Sequence, residues 1–222
     1  MTDQITTSTP TRTRRERESQ KRRETILEAA RQVFFDKGIQ VATVEDVAAQ
    51  AEIAKGTVYL YFSSKEELIA QLLLQGLDLL LESLDAAFDE GVKRTASERL
   101  RRLAEAYLEF AGERPNYFRL IMAYDRGQFQ ESISGELYQR IFDCSKEGLQ
   151  WIMRAIEQGM QDGEFSSGNA RERAGMAWAA LNGVLVLFGH PLRRALLETD
   201  IEAIYAGVLD MILRDLHTAP PT

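Results

Sequence analysis

Apolar residues recur at helical spacing through almost all of this 222-residue chain. A single stretch, Thr57-Val58-Tyr59-Leu60-Tyr61-Phe62, instead has the β-branched and aromatic make-up of a strand. A strand there would have no second strand to pair with, and an unpaired strand leaves its backbone donors and acceptors unsatisfied. Read as a helix, the same residues place Val58 and Phe62 four apart on one inward face. Lys55 and Tyr59 then form a second stripe, and Thr57 and Tyr61 a third. The stretch is expected to be helical, which makes the chain all-α with about nine helices.

The flanking segments give this short helix its context. Ile26, Ala29, Ala30, Val33 and Phe34 form one apolar helical face, closed by Gly38 after Lys37. Thr43, with Asp46 three residues later, caps a helix of about two turns carrying Val44, Val47, Ala48 and Ala51. Ser64 and Glu67 form a capping box that opens a helix expected over residues 65–92. Further helix starts fall at Thr95, Ser134, Asn169 and Thr199, with Pro115, Gly163 and Pro191 as breaks. Gly56 in a short helix costs about 1 kcal/mol relative to Ala, so packing must hold that helix. Lacking a Cβ, it also lets another surface approach the backbone. A capped helix, a three-residue turn (residues 51–53) and a second helix with exposed Lys, Gly, Thr and Tyr have the shape of a helix-turn-helix, whose second helix enters the DNA major groove.

Charge is unevenly placed. Residues 1–23 carry seven Lys and Arg against three acidic side chains, residues 1–70 balance at eleven each, and the remainder holds the whole net charge of −7. A basic arm on an acidic body suits one region that meets an anionic partner; a solvated tail would have the same composition. The expected organisation is a disordered basic arm over residues 1–20, a helix-turn-helix DNA-binding domain over 21–66, and a larger helical domain over 67–222. Cys144 stands alone, which excludes an internal disulfide and a cysteine zinc cluster. The N-terminus has no apolar leader core, and the longest apolar run, residues 176–189, is interrupted by Asn182 and shorter than the ~20 residues of a membrane span. A cytoplasmic protein with no membrane partner is expected.

Residues 26–68 closely resemble the N-terminal DNA-binding domain of the TetR family of transcriptional regulators. The resemblance is carried by Ala29-Ala30, Phe34, Gly38, Thr43-Val44, Val47-Ala48, Ala51, Ile53, Gly56, Tyr59, Tyr61-Phe62 and Lys65-Glu66. Two positions depart from the pattern: Glu52 stands in the turn where the family usually has Gly, and Ile39 where an aromatic usually follows the glycine. If residue 52 needs a left-handed backbone, Glu costs on the order of 1 kcal/mol there.

Resemblance and geometry together make Lys55, Thr57 and Tyr59 the candidates for the major groove, with Gly56 permitting close approach. Thr43, Tyr61 and Lys65 suit phosphates. Each also has an ordinary reading, Thr43 as a cap, Tyr61 as a half-buried aromatic and Lys65 as a solvated first-turn residue. Arg12, Arg14, Arg15, Arg17, Lys21, Arg22 and Arg23 would add a salt-dependent term along the DNA backbone or minor groove.

The resemblance further implies a homodimer on double-stranded DNA with a palindromic operator, and an unidentified small-molecule effector in the C-terminal domain. The expected function is a repressor released from its operator when that effector binds. The alternative is a structural or protein-interaction factor of the same fold with no effector. Candidate pocket residues are the bulky side chains of the middle helices, Tyr107, Phe110, Phe118, Met122, Phe142 and Trp151, with Met153 and Trp178; Asp125, Asp143 and Glu147 are candidates to orient a cation. Ala177, Ala180, Leu181, Val184, Leu185 and Phe188, then Ile204, Val208, Met211 and Ile212, are candidates for a four-helix dimer interface. With only His190 and His217, a triad or a histidine metal site is poorly supplied, and no phosphate-loop or HExxH motif occurs. No enzyme, cofactor or metal is expected.

Overall fold

The computed structural model describes residues 14–123 and 130–217, which divide into two compact units, one ending at Leu72 and one beginning at Leu73. The described residues form ten α-helices and one 3-10 turn, with no strand.

The first unit holds α1 (Arg14–Lys37), α2 (Val44–Gln50), α3 (Lys55–Tyr59) and the opening turns of α4 (Lys65–Phe88). Its core is the predicted apolar face of α1 meeting Val44, Val47 and Ala48 of α2, Val58 of α3, and Phe62, Leu68 and Leu72. Gly38 stops α1 in a left-handed conformation at φ 85°, with its N–H on the Phe34 carbonyl at 3.1 Å. Residues 14–20, expected as part of a disordered arm, are instead the first turns of α1. Arg12 lies outside the described residues.

The second unit contains the rest of α4, α5 (Ala96–Glu113), α6 (Pro115–Ala123), the 3-10 turn Gln130–Ser132, α7 (Gly135–Gln161), α8 (Ala170–Phe188), α9 (Pro191–Leu197) and α10 (Ile201–His217). Helix α7 packs on α5 and α8, and α8 on α10, around a shared apolar core. The extra helix relative to expectation is α9: Pro191, read as a stop, occupies the first helical position, where a missing N–H and a fixed φ are tolerated.

Helix α4 is 24 residues long, shorter than expected, because Asp89 turns left-handed at φ 45°. Its last carbonyls are taken up by α5. Arg99, buried and lying over the Phe88 ring at 4.4 Å, donates to the carbonyls of Phe88, Asp89 and Val92, while Arg102 Nε reaches the Ala87 carbonyl at 3.2 Å. The α5 N-terminus is closed in turn by Glu164, which accepts from the amides of Ala96 at 2.7 Å and Ser97 at 3.0 Å.

Among the described residues no single helix is long and apolar enough to cross a membrane.

Candidate nucleic-acid interface and ligand cavity

The helix-turn-helix is built from its caps outward. Thr43 and Asp46 form the expected capping box on α2: the Asp46 amide donates to Thr43 Oγ1 at 3.2 Å, and the Thr43 amide and hydroxyl both donate to Asp46 Oδ2 at 2.9 Å. Lys37 adds an ion pair to Asp46 at 2.6 Å. That ion pair and the Thr43 hydrogen bonds pull the Asp46 carboxyl down to about 2. In this arrangement the Thr43 hydroxyl proton is already engaged by Asp46.

Helix α2 ends in a Schellman turn. The Glu52 amide donates to the Ala49 carbonyl at 3.1 Å and the Ile53 amide to the Ala48 carbonyl at 3.0 Å. This closure places Glu52 at φ 54°, the left-handed conformation that normally calls for glycine. The departure noted in the sequence is therefore a residue held at a conformational cost.

Helix α3 follows without a side-chain cap at Ala54. Val58 and Phe62 are fully buried and pin it, while Lys55, Gly56 and Tyr59 are exposed and Thr57 and Tyr61 half-buried. A Cβ built on Gly56 meets nothing within 4 Å. No turn, close approach or left-handed backbone in the fold explains this glycine. Lys55 is ion-paired to Glu45 on α2, with its ammonium 5.7 Å above the Tyr59 ring. The hydrogen bond to Glu45 raises the lysine's affinity for its proton and lowers that of the carboxyl.

At the far end of α3 the contacts involve α1. Arg23 donates to the Tyr61 carbonyl at 2.6 Å, stacks over the Phe62 ring at 4.2 Å and lies 3.6 Å from Glu67. Arg23, expected to reach DNA with the other arm cations, is instead a clamp between α1 and the turn into α4. Lys65 is half-buried, with its ammonium 6.0 Å from the Phe34 ring centre. The cap of α4 also differs from expectation: the Glu67 amide donates to Ser64 Oγ at 3.0 Å, but the Glu67 carboxylate reaches back to Ser63.

Sequence reasoning passed over two residues on this face. Leu60 is 81% exposed directly after α3, as its spacing two residues from both Val58 and Phe62 dictates. Glu45, also exposed, holds Lys55; no local pattern marks it, since the pairing spans the turn.

The second unit contains a partly open cavity of about 190 Å³. Leu77, Leu80, Leu81 and Leu84 of α4 form one wall, and side chains of α5, α6, α7, α8 and α10 close the rest. The Tyr107 hydroxyl, whose ring lines the cavity, donates to Asn182 Oδ1 of α8 at 2.5 Å. Burial pushes the Tyr107 phenol well above its ordinary range. Of the pocket candidates, Tyr107, Met122 and Trp178 line this space. Phe110 and Phe118 do not: they are core side chains, with Phe118 edge-on to Tyr107. Phe142 is 52% exposed, and Trp151 lies tilted against Phe88 with the Arg154 guanidinium over both rings, away from the cavity. Asp143 and Glu147 edge a polar cleft beside Trp151, not the apolar cavity; Asp125 lies outside the described residues. The aromatic bias of the expectation missed the leucines of α4, whose apolar stripe is broad enough to face more than one neighbour.

On α8, Ala177, Leu181, Val184, Leu185 and Phe188, expected at a dimer interface, are buried within the unit, because they are the stripe that meets α10 and the core. The apolar residues left outside include Met176, Trp178, Ala179, Ala180, Val186 and Leu187 on α8 and Ala203, Ala206 and Met211 on α10.

The model describing bacterial regulatory proteins of the tetR family matches residues 26–72, the span from the core face of α1 into α4. The uncharacterized HTH-type transcriptional regulator YfiR of Bacillus subtilis (strain 168) is 31% identical over 147 residues, covering 65% of this chain and 68% of that protein. The chain belongs to the tetR family. It is a DNA-binding transcriptional regulator. Similarity to the fatty acid metabolism regulator protein of Bacillus subtilis (strain 168) runs further along the tetR-family chain, at 26% identity over 193 residues, 86% of this chain and 94% of that one. The fold matches the crystal structure of FadR from Bacillus subtilis in complex with stearoyl-CoA, with a TM-score of 0.67 at 22% identity over 87% of this chain and 99% of that chain.

Proposed function

We propose that this tetR-family regulator is a homodimeric repressor that reads a two-fold-symmetric operator with α3 and leaves it when an apolar small molecule fills the cavity of the second unit. Lys55, Thr57 and Tyr59 read base edges in the major groove, with Leu60 beside them for a thymine methyl. Tyr61, Lys65 and Thr43 meet phosphates at the groove edges, Thr43 after releasing its bond to Asp46. The observation that carries the reading is Gly56: an exposed glycine at the second position of a five-residue helix, with open space around it, is explained by a partner surface that must come closer than a Cβ allows.

The operator and effector sides are coupled through dimer geometry. Two α3 helices must sit about 34–36 Å apart to enter successive major grooves on one face of B-DNA. An effector shifts that spacing only if it binds one arrangement better than the other. The lining of the cavity supports a hydrocarbon ligand, and the fatty acid regulator among the relatives supports an acyl chain as its class. A cavity near 150 Å³ holds benzene, so about 190 Å³ accommodates only a short chain unless the surrounding helices separate. That separation would supply the difference between the two states. The dimer is proposed to form on the outer apolar residues of α8 and α10, with residues 21–66 serving as the DNA-binding domain and 67–222 as the effector and dimerisation domain.

The test is a footprint on duplexes recovered by in vitro selection with the full-length protein, repeated with Lys55→Ala and Tyr59→Ala. Loss of protection in a still-folded dimer is expected; unchanged protection overturns the site. Thermal shift with a series of fatty acids and their acyl thioesters tests the effector. Stabilisation accompanied by release of the selected duplex is expected, and neither effect with any chain length favours an effector-free factor.

A further inference from the structure

We infer that Tyr107 and Asn182 form a hydrogen-bonding anchor at the cavity of the second unit, and that its ligand is an uncharged alkyl compound with one oxygen function, such as an ester or a ketone, bound without an ionised end. The inference rests on the proposal that this cavity receives the effector, and it narrows the class of that effector.

The wall has nothing to hold an ion. Among the described residues that line the cavity, none is Lys, Arg, His, Asp or Glu. Most of the wall is aliphatic, and the Ser145 hydroxyl is already engaged by the Ile141 carbonyl of its own helix at 2.8 Å. A carboxylate or an ammonium drawn inside loses its water without gaining an opposite charge, so it changes protonation rather than stay ionised. The opening is no better suited to an anion. Ser145 of α7 and Trp178 of α8 are the lining residues that are exposed. Beside them Cys144 Sγ lies 4.0 Å from Asp78 Oδ1, and the charges acting on Cys144 are Asp78, Asp143 and Glu147 against one cation, Arg140.

The anchor is set apart by how the Tyr107 hydroxyl is satisfied. Tyr205, buried in the same core, donates to the backbone carbonyl of Ala104 at 3.0 Å and needs no second polar side chain. Tyr107 instead donates to Asn182 Oδ1 at 2.5 Å. Asn182 interrupts the apolar run of α8 next to Leu181 and one turn beyond Trp178, both of which line the cavity. Their bond uses the phenol proton and part of the amide oxygen. The phenol oxygen can still accept, and the amide nitrogen can still donate from both N–H groups. An ester or ketone oxygen beside this pair gains a hydrogen bond in apolar surroundings, and a hydrocarbon end leaves that capacity unused.

Isothermal titration calorimetry on the full-length protein tests the inference. The probes are short, as a cavity of about 190 Å³ requires, and similar in size: methyl hexanoate, its isomer heptanoate as the anion, hexylammonium and heptane. Methyl hexanoate is expected to bind tightest, with an affinity indifferent to pH. Heptanoate is expected to enter only as the neutral acid, so above its own pKa its affinity falls about tenfold per unit of rising pH. Tyr107→Phe strips Asn182 of its partner, so both are also replaced in Tyr107→Phe/Asn182→Leu, which leaves no orphaned polar group. In the double variant the preference for methyl hexanoate over heptane is expected to shrink by roughly threefold to tenfold, the worth of one hydrogen bond. Heptanoate or hexylammonium binding more tightly than the ester at neutral pH overturns the inference, as does an ester preference that survives in the double variant. Equal binding of ester and heptane by the parent removes the anchor alone, whereas binding of none of the probes removes the effector reading of the cavity with it.

Discussion

Lys55, the first residue of α3, is ion-paired across the turn to Glu45 on α2. In the proposed DNA complex Lys55 must therefore give up this partner to reach a base edge. Glu45→Ala removes that competition together with a negative charge beside the groove. Affinity for shuffled duplex is expected to rise severalfold in Glu45→Ala, while preference for the selected duplex narrows. Anisotropy titrations of both duplexes read this directly, and parallel curves for parent and variant would show that the pair has no bearing on DNA.

Gly56 separates stability from binding. Gly56→Ala introduces a methyl into open space and removes a poor helix former, so unfolding free energy should rise by up to about 1 kcal/mol. Operator affinity is expected to fall by roughly tenfold or more, equivalent to about 1.4 kcal/mol. Chemical denaturation and the anisotropy assay, run on one preparation, give the two signs. A variant that is stabilised and binds as before would remove the main support for α3 as the reading helix.

Glu52 carries the opposite lesson, a non-glycine residue held at φ 54° by a Schellman turn. Glu52→Gly relieves this and is expected to stabilise the protein by about 1 kcal/mol, seen as a higher denaturant midpoint at unchanged m-value.

The cavity can be filled from Gly148 on α7, whose added Cβ would meet Leu81 at 3.9 Å and Leu84 at 4.0 Å, ordinary contact distances. Gly148→Leu is expected to raise the melting temperature, abolish the thermal shift with acyl ligands and leave affinity for the selected duplex intact. A variant that still responds to ligand would place the effector elsewhere.

The Asp46 carboxyl, held down to about 2 from 3.8 by Lys37 and Thr43, links the helix-turn-helix to pH. Because its folded value is the lower one, its contribution to stability is fully present above about 4 and is lost as pH falls toward 2. In melting experiments the gap between the parent and Asp46→Asn is expected to be widest near neutral pH and to close below pH 4. A constant gap would mean that the residue acts through its cap geometry alone.

How much of this was legible in the sequence depends on how far apart the partners lie. The helix-turn-helix could be read because its logic is local: Val58 and Phe62 four apart, Thr43 and Asp46 three apart, Gly38 after a lysine. Arg23, Glu45, Arg99 and Glu164 could not. Their partners sit across turns or in other helices, 38 residues away for Arg23 and Tyr61, and 68 for Ala96 and Glu164. The cavity was legible only in part, for a different reason. Of the large side chains sought at its wall, Tyr107, Met122 and Trp178 are there while Phe110 fills space, and the remaining wall includes a row of leucines on α4 that ordinary core packing would also produce.

The arginines that close the end of α4 bear on how that helix can respond to a guest. A helix relieves sideways pressure most cheaply by unravelling its last turn, where carbonyls are otherwise bonded only to water. With Ala87 and Phe88 anchored by Arg102 and Arg99, that outlet is shut, and a ligand pressing on Leu77 to Leu84 meets a stiff beam with one end bolted.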